Sequence, residues 1–292
     1  MPMDTEKSAE HAAGNSWARL TTARSRELGE ELRRIRRQAG LALPRVAKGL
    51  GWSAGKLSKL ELGSRGTSLW EIGILIGRYG VDKATRDRVL ALADQRADIH
   101  NFLRLHTPCP DALTVLTLHE ANAATVTAYE PFTVPALGQT EDYARALIDD
   151  QDQVGARMKR QRVLHAVNGP RVLLYVHEAA LHMGLDDPVV MRDQALHLTL
   201  MCGWPGVTVR LVPMTTGTRT RLRHPATLMT FPDPIRPVAC AETDTATVFH
   251  DDPKVVAEYH LKMWRLGVLA LGPDESHERL ARWADRYDRG SH

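Results

Sequence analysis

Cysteine, long apolar runs and an export signal are scarce or missing in this chain of 292 residues. Its three cysteines, Cys109, Cys202 and Cys240, are too few and too scattered to form a disulfide framework. No run of about 18 apolar residues occurs, which excludes a membrane-spanning helix. Residues 1–16 are polar and lack the apolar segment of a signal peptide. We therefore expect a mobile N-terminal tail and a cytoplasmic protein with reduced thiols.

Common catalytic and cofactor-binding motifs are also missing. No serine lies in a G-x-S-x-G pattern, and no glycine pattern matches a Walker or dinucleotide-binding loop. The segment "HEAALH" at 177–182 separates its histidines by five positions, whereas the zinc motif H-E-x-x-H separates them by four. The extra residue rotates the second imidazole by about 100° around a helix. The acidic run at 149–152 is typical of a solvated helix end. We assign no catalytic residue, no metal and no cofactor.

A pattern of short helices is present near the N-terminus. Apolar residues at spacings of three and four predict a first helix over residues 26–39, which Gly40 ends. Pro44 fits the first turn of a second helix, where its missing N–H does no harm. Ser53 can cap a third helix by accepting a backbone N–H, and Gly63 stops that helix. The pattern predicts two short helices joined by a tight turn.

The same region is strongly basic. From Ser16 to Arg65 there are twelve Lys and Arg and four Glu, a net charge of +8. Because the whole chain carries +3, the remainder carries −5. A basic end on a slightly acidic body is the electrostatic pattern of a DNA-binding module. The alternative is that the arginines between residues 33 and 37 form only the solvated face of an amphipathic helix.

The domain organisation follows from the remaining patterns. Apolar spacing predicts a fourth helix that begins near Leu69 and a fifth that follows Asp82, which gives a five-helix all-α domain over residues 17–97. Prolines on both sides of Cys109 indicate a linker at 98–111, because prolines this dense break regular structure. A second domain is then predicted over residues 112–288.

Residues 43–63, "LPRVAKGLGWSAGKLSKLELG", resemble the helix-turn-helix domains of the XRE (phage-repressor-like) superfamily. The resemblance is carried by the buried alanine, Ala47, and by the S-x-x-E-x-G ending at Ser58, Glu61 and Gly63. It implies that the third helix inserts into the major groove of DNA.

Candidate DNA contacts divide into two groups. The groove-facing candidates on the third helix are Ser53, Ala54, Gly55, Lys56, Ser58 and Lys59. Among them Lys56 and Lys59 are able to donate to guanine O6 and N7. Arg45, Lys48 and Arg65 are better placed for phosphates. Because alanine and glycine present no polar group to base edges, we expect weak direct readout, with specificity coming also from dimer geometry and DNA shape.

Residues 112–288 are predicted to form an α/β (α+β) domain with a mixed sheet. Helices are expected over 112–128, after Thr140, and over 189–201, 253–270 and 273–286. Runs rich in β-branched and apolar residues predict strands at 171–176, 207–212, 226–231, 238–242 and 246–249. Because these elements alternate, a sheet covered by helices is the expected architecture.

This second domain carries its own resemblance. Four segments are similar to antitoxin-like transcriptional regulators of actinobacteria, which join an XRE helix-turn-helix to a C-terminal domain of poorly defined function. They are "VPALGQTEDYARAL" at 134–147, "RQRVL" at 160–164, "HEAAL" at 177–181 and "GVTVRLVP" at 206–213. The resemblance implies that the signal is a small partner protein, as in antitoxin-like pairs, or a small molecule.

One polar, basic segment of the second domain, "TTGTRTRLR" at 215–223, is predicted to be a loop between strands. Its candidates for an anionic ligand or an acidic partner are Thr218, Arg219, Arg221 and Arg223. The alternative is a plain solvent-exposed connection.

Three hypotheses remain from the sequence. The first is a homodimeric transcription factor on double-stranded DNA whose C-terminal domain senses a partner protein or a small molecule, since one helix-turn-helix buries too little surface for tight specific binding. The second is a catalytic or ligand-binding C-terminal domain beside a vestigial helix-turn-helix. The third is an interaction protein that sequesters a small acidic partner and touches DNA only within that complex.

Overall fold

A computed structural model describes residues 22–93, 101–105, 111–216, 222–243 and 246–290. The chain divides into two units, one formed by Met1–Phe102 with Asp233–Arg236 and the other by Leu103–Pro232 with Pro237–His292. Within the described ranges, no helix is both long and apolar enough to cross a membrane.

The N-terminal unit consists, in its described part, of five helices, as the sequence predicts. They are α1 (Ala23–Gln38), α2 (Leu43–Gly49), α3 (Ala54–Glu61), α4 (Leu69–Tyr79) and α5 (Lys83–Ala93). Their apolar faces meet in one core, in which Leu32, Leu57 and Leu75 are fully buried. Gly40 and Gly63 adopt positive φ just beyond α1 and α3. They therefore end these helices as C-terminal glycines do.

Helices α1 and α3 approach each other closely because two glycines lie at the contact. A Cβ atom on Gly29 would lie 2.6 Å from the carbonyl oxygen of Glu61, and one on Gly63 would lie 2.5 Å from the carbonyl oxygen of Ser25. The Ser25 hydroxyl also donates to the Gly63 carbonyl at 2.9 Å. Any side chain larger than hydrogen would therefore force the two backbones apart.

A buried ion pair joins the same two helices. Arg36 on α1 donates from Nε to Oε1 of Glu61 at 2.6 Å and from Nη2 to Oε2 at 2.8 Å. The two side chains are 9% and 1% exposed. Arg36 also donates to the Leu41 carbonyl at 2.7 Å. Arg36 thus belongs to the interior and not to the solvated face that the alternative interpretation of residues 33–37 assumed.

The C-terminal unit alternates strands with helices. Strand β1 (Asn101–Leu105) spans the division between the two units. The other strands are β2 (Thr125–Glu130), β3 (Arg171–His177), β4 (Val207–Val212), β5 (Ala226–Thr230), β6 (Val238–Glu242) and β7 (Ala246–His250). Its α-helices are α6 (Asp111–Asn122), α7 (Glu141–Leu147), α8 (Gln151–Arg160), α9 (Glu178–His182), α10 (Pro188–Met201), α11 (Pro253–Leu269) and α12 (Pro273–Asp288). Short 3₁₀ helices lie at Ala136–Gly138, Gln161–His165 and Met214–Thr216.

The strands form one mixed sheet in the order β1-β7-β6-β5-β2-β3-β4. Strands β2, β3 and β4 are parallel, whereas β5 is antiparallel to β2, and β6 and β7 continue the antiparallel pairing. One face packs on α11, where Met263 and Leu266 meet strand residues that include Tyr129 and Leu228. Helix α12 packs against α10 and β4. The predicted α/β architecture with a mixed sheet is therefore present.

Strands β1 and β2 differ from the sequence prediction, and helices α8 and α9 were not predicted. The helix expected over 112–128 ends at Asn122, and strand β2 begins at Thr125. Alanines at 121–128 favour a helix, but Thr125 to Glu130 pair with β3 on one side, and Thr125 to Tyr129 pair with β5 on the other. Tertiary pairing thus outweighs local propensity here. Strand β1 lies inside the predicted linker at 98–111. The domain boundaries themselves stay predictions.

Candidate DNA-binding surface

Helices α2 and α3 form the helix-turn-helix pair, and Gly51 makes the turn with a φ of 66°. Ser53 caps α3, since its Oγ accepts a hydrogen bond from the Lys56 backbone N–H at 3.0 Å. This confirms the predicted cap. The apolar residues Leu57 and Leu60 are buried, which turns the opposite face of α3 outward.

The outward face of α3 is nearly bare at its N-terminal end. Ser53, Ala54 and Gly55 are exposed, and a Cβ on Gly55 would have no atom within 4 Å. Lys59 is exposed, Ser58 is half-buried, and no hydrogen bond or ion pair to another described residue involves the Lys59 ammonium. Lys59 is therefore the long polar side chain that α3 presents to solvent without an intramolecular partner.

Lys56, the other predicted base-reading lysine, is engaged within the domain. Its ammonium lies 2.8 Å from Oε1 of Glu71 on α4 and 3.9 Å from the centroid of the Trp52 ring. The side chain of Lys56 is only 26% exposed. A lysine held by a carboxylate and by an aromatic face must break both contacts before it can reach a base.

Glu71 also stabilises the start of α4. Its carboxylate accepts from the Ser68 backbone N–H at 3.3 Å, while its own N–H donates to Ser68 Oγ at 3.2 Å, which completes a capping box. The hydrogen bond to Lys56 is the main reason why the pKa of Glu71 lies below its usual value. Arg65 lies 3.6 Å from the same carboxylate. Sequence reasoning missed Glu71, although the S-x-x-E spacing at 68–71 signals its capping role.

The predicted phosphate contacts lie at the surface. Arg45 and Lys48 are exposed on α2, and neither has a hydrogen bond or ion pair to another described residue. Arg65 is exposed on the connection between α3 and α4, with its side chain 42% accessible. Together with Lys59, these groups leave exposed positive charge on α2, on α3 and on the segment after α3.

Most of the other arginines in this basic region have structural partners. Arg24 donates to the carbonyls of Leu92 and Ala91 at the end of α5. Arg33 pairs with Glu30 and Arg34 with Glu31 along α1. The net charge of the region therefore overstates the number of cations that are available to a ligand.

A family described as a helix-turn-helix domain matches residues 27–89, which begin in α1 and end in α5. A second family, described as a domain of unknown function (DUF5753), matches residues 113–282, more than half of the chain. The chain belongs to the DUF5753 family. Its helix-turn-helix domain suggests DNA binding.

No curated protein matches this DUF5753 chain. Among solved structures it is similar to TrmBL2, an archaeal chromatin protein reported to show a novel mode of DNA binding. The identity is 9%, the match covers 69% of this chain and 66% of that chain, and the TM-score is 0.29. The chain thus spans less than two thirds of the length of that protein, and the similarity is too low to bear on function.

The candidate residues of the DUF5753 domain are only partly described. Arg223 is exposed just before β5, whereas Thr218, Arg219 and Arg221 lie outside the described residues. In the "HEAALH" segment, His177 and Glu178 make hydrogen bonds within the domain. His177 accepts a backbone hydrogen bond at the start of α9, and Glu178 accepts from Trp283 Nε1 at 3.2 Å.

Proposed function

We propose that this protein is a sequence-specific, DNA-binding transcriptional regulator that acts in the cytoplasm. The observation that carries the proposal is the capped, outward-facing helix α3, which is flanked by exposed cations without intramolecular partners. Arg45 and Lys48 contact phosphates, and Lys59 is the principal donor to base edges or nearby phosphates. Lys56 contributes less because Glu71 and Trp52 hold its ammonium.

In this proposal the protein binds as a homodimer. The groove-facing end of α3 carries Ala54 and Gly55, so a single module makes few base contacts. Two copies on half-sites about one helical turn apart double the contacts and add geometric specificity. The dimer thus supplies the discrimination that one short helix lacks.

The DUF5753 domain then controls when the protein binds. As in antitoxin-like regulators, the effector is a small partner protein or a small molecule. An acidic partner protein suits the exposed Arg223. Purification of the tagged protein from its own cells tests whether the effector is such a protein. A stoichiometric small acidic protein is expected in the complex if the effector is a protein, and none is expected if it is a small molecule.

Binding to the promoter of its own gene, compared with random duplex at several salt concentrations, tests the DNA-binding proposal. We expect tighter binding to the promoter and a steep loss of affinity with salt, because counterion release accompanies each phosphate contact. The double variant Arg45→Ala/Lys48→Ala should weaken both affinities and reduce the salt slope. Arg145→Ala, at an exposed residue of the other domain, is the control. Equal affinity for both duplexes would overturn the sequence-specific part.

A further inference from the structure

A cluster of charged residues lies in the DUF5753 domain at the carboxyl ends of strands β2 and β6. Glu130 is the last residue of β2, and Glu242 is the last residue of β6. Both strands are antiparallel to β5, which lies between them, so their carboxyl ends share one edge of the sheet. Ligands of open α/β sheets bind outside the carboxyl ends of strands, where connections leave in opposite directions.

Helix α8 supplies the positive charges. Arg157 and Arg160 are three positions apart and therefore lie on one face of that helix. Arg160 donates from Nε to Oε2 of Glu120 at 2.7 Å, and both side chains are almost fully buried. Arg157 donates to Oε1 of Gln139 at 3.0 Å. These contacts fix the two guanidinium groups beside the sheet edge.

The geometry around Glu242 is open. Its Oε1 lies 3.7 Å from Arg160 Nη1, and its Oε2 lies 4.0 Å from Arg157 Nη2. Both separations exceed hydrogen-bond distance, so charge attraction alone links these groups. The side chains of Arg157 and Glu242 are 19% and 22% exposed. The cluster is thus buried at Arg160 and partly open to solvent at Glu242.

Several polar atoms of the cluster lack a hydrogen-bond partner. Arg157 Nε, Arg160 Nη1 and Glu120 Oε1 are buried and have no hydrogen bond among the described residues. Arg160 is only 3% exposed in its side chain, and its free Nη1 points toward Glu242. Buried polar groups without partners are rare, and each one requires an explanation such as a bound molecule. The atoms without a hydrogen bond in this cluster are two guanidinium donors and one carboxyl acceptor.

We infer that this cluster, formed by Glu120, Glu130, Gln139, Arg157, Arg160 and Glu242, is the effector site of the DUF5753 domain and binds a small zwitterion of the amino-acid type. A plain anion would meet the guanidinium N–H groups but would face the acidic side chain of Glu242. A plain cation would meet Glu242 but would face Arg157 and Arg160. A molecule with an ammonium and a carboxylate satisfies both sides without adding net charge.

The charges of the cluster suit such a ligand. Burial, together with the neighbouring carboxylate of Glu242, raises the pKa of Glu130 to about 8, so this residue is largely neutral at pH 7. The carboxyl group of Glu120 is hydrogen-bonded to Arg160, and that of Glu242 faces Arg160 and Arg157. The Lys262 ammonium also attracts Glu130. The ammonium of the ligand binds at Glu130 and Glu242, at the open end, while its carboxylate takes the free guanidinium N–H groups. The regulatory consequence, but not the binding itself, rests on the proposed function.

The experiment uses the full chain and three chemical forms of each ligand. Free amino acids, their N-acetyl derivatives and their decarboxylated amines are compared by melting temperature and then by calorimetric titration. We expect at least one free amino acid to raise the melting temperature, while its two derivatives, each of which lacks one charge, do not. Equal shifts with all three forms, a shift with only a singly charged form, or no shift with any amino acid would overturn the inference.

Two variants locate the site. Glu242→Gln and Arg157→Gln each remove one charge from the open end and should weaken binding at least tenfold, whereas Arg145→Ala, an exposed residue on α7, should leave binding unchanged. Circular dichroism verifies folding, and the three-form comparison on the wild-type chain remains decisive if a variant fails to fold. Undiminished binding in both folded variants rejects this location. Because binding is measured without DNA, failure here is distinct from failure of the DNA-binding proposal.

Discussion

The ammonium of Lys56 on α3 lies 2.8 Å from the carboxylate of Glu71 on α4. This ion pair connects a predicted DNA-reading residue to the capping box of the next helix. The same carboxylate therefore both starts α4 and restrains a cation on the candidate DNA-binding surface. Its two roles can be separated by substitution.

Replacing Glu71 with glutamine should increase DNA affinity. The amide keeps an oxygen for the cap but loses the charge that holds Lys56, so the lysine becomes available to DNA. We expect tighter binding at low salt and a salt slope steeper by about one, as for one added phosphate contact. Fluorescence anisotropy across a salt series measures both. Glu30→Gln, which disrupts a half-buried pair on α1, is the control, and an equal gain in that variant would argue against release of Lys56.

The two lysines of α3 should differ in effect. Lys59→Ala is expected to weaken promoter binding by about 1–3 kcal/mol if Lys59 contacts a base edge, whereas Lys56→Ala should have a smaller effect. Competition between promoter and random duplex separates the roles. A loss confined to the promoter assigns base readout to Lys59, and a uniform loss assigns a phosphate contact. A larger loss in Lys56→Ala would reverse the proposed order.

Two glycines should respond in opposite directions to alanine. Gly29→Ala places a methyl group 2.6 Å from the Glu61 carbonyl oxygen and should destabilise the domain by about 1–3 kcal/mol or more. Gly55→Ala enters open space on an exposed helix and should stabilise it by about 0.5–1 kcal/mol. Urea unfolding monitored by circular dichroism gives both values. Equal effects at the two sites would contradict the close packing of α1 on α3.

The buried pair of Arg36 and Glu61 should show strong coupling. Glu61→Leu leaves an uncompensated buried guanidinium and should lower the free energy of unfolding by about 3–5 kcal/mol. The double variant Arg36→Met/Glu61→Leu removes both charges and should recover most of that loss. A double-mutant cycle in urea measures the coupling. Additive losses would indicate that the two residues act independently.

Stability of the DUF5753 domain should depend on the protonation of Glu130. Burial raises its pKa to about 8 in the folded chain, so between about pH 4.5 and 8 the unfolded chain releases a proton that the folded chain retains. The contribution of Glu130 to stability therefore falls as pH rises through this window and levels off above it. Glu130→Gln should reduce the fall by roughly 1–3 kcal/mol.

Two neighbouring groups, Glu120 and Lys262, determine the pH dependence of stability that remains in Glu130→Gln. Burial also raises the pKa of Glu120, which leaves a residual fall in the same direction. Burial lowers the pKa of Lys262 to about 8. The contribution of Lys262 is therefore opposite to that of the glutamates, and it makes stability rise with pH above about 8. Urea unfolding of wild type and Glu130→Gln from about pH 5 to about pH 8 tests the prediction. An unchanged pH dependence in the variant would place the titration elsewhere.

Local sequence signals were sufficient for most of the helices. Ser53 and Gly63 mark the ends of α3 by capping chemistry that acts within a few residues, and the structure places both as expected. Strand β2 was missed because its alanine-rich sequence favours a helix, and only its neighbours in the sheet select a strand.

The state of the candidate site was less predictable than its location. The exposed face of α3 follows from helical periodicity, but the restraint on Lys56 comes from Glu71, fifteen residues away on another helix. Likewise, Arg36 belongs to a run of arginines that resembles a solvated face, yet Glu61, twenty-five residues further on, draws it into the interior. Pairing between elements depends on tertiary geometry, which a charge count does not contain.

The close contact between α1 and α3 limits how the protein can be switched. With Gly29 and Gly63 at the contact and a buried ion pair beside it, α3 cannot rotate or slide within its domain without a steric clash. An effector would therefore leave the shape of the DNA-reading module unchanged. We expect the effector instead to change the distance between the two helix-turn-helix domains of the dimer, while each domain stays rigid.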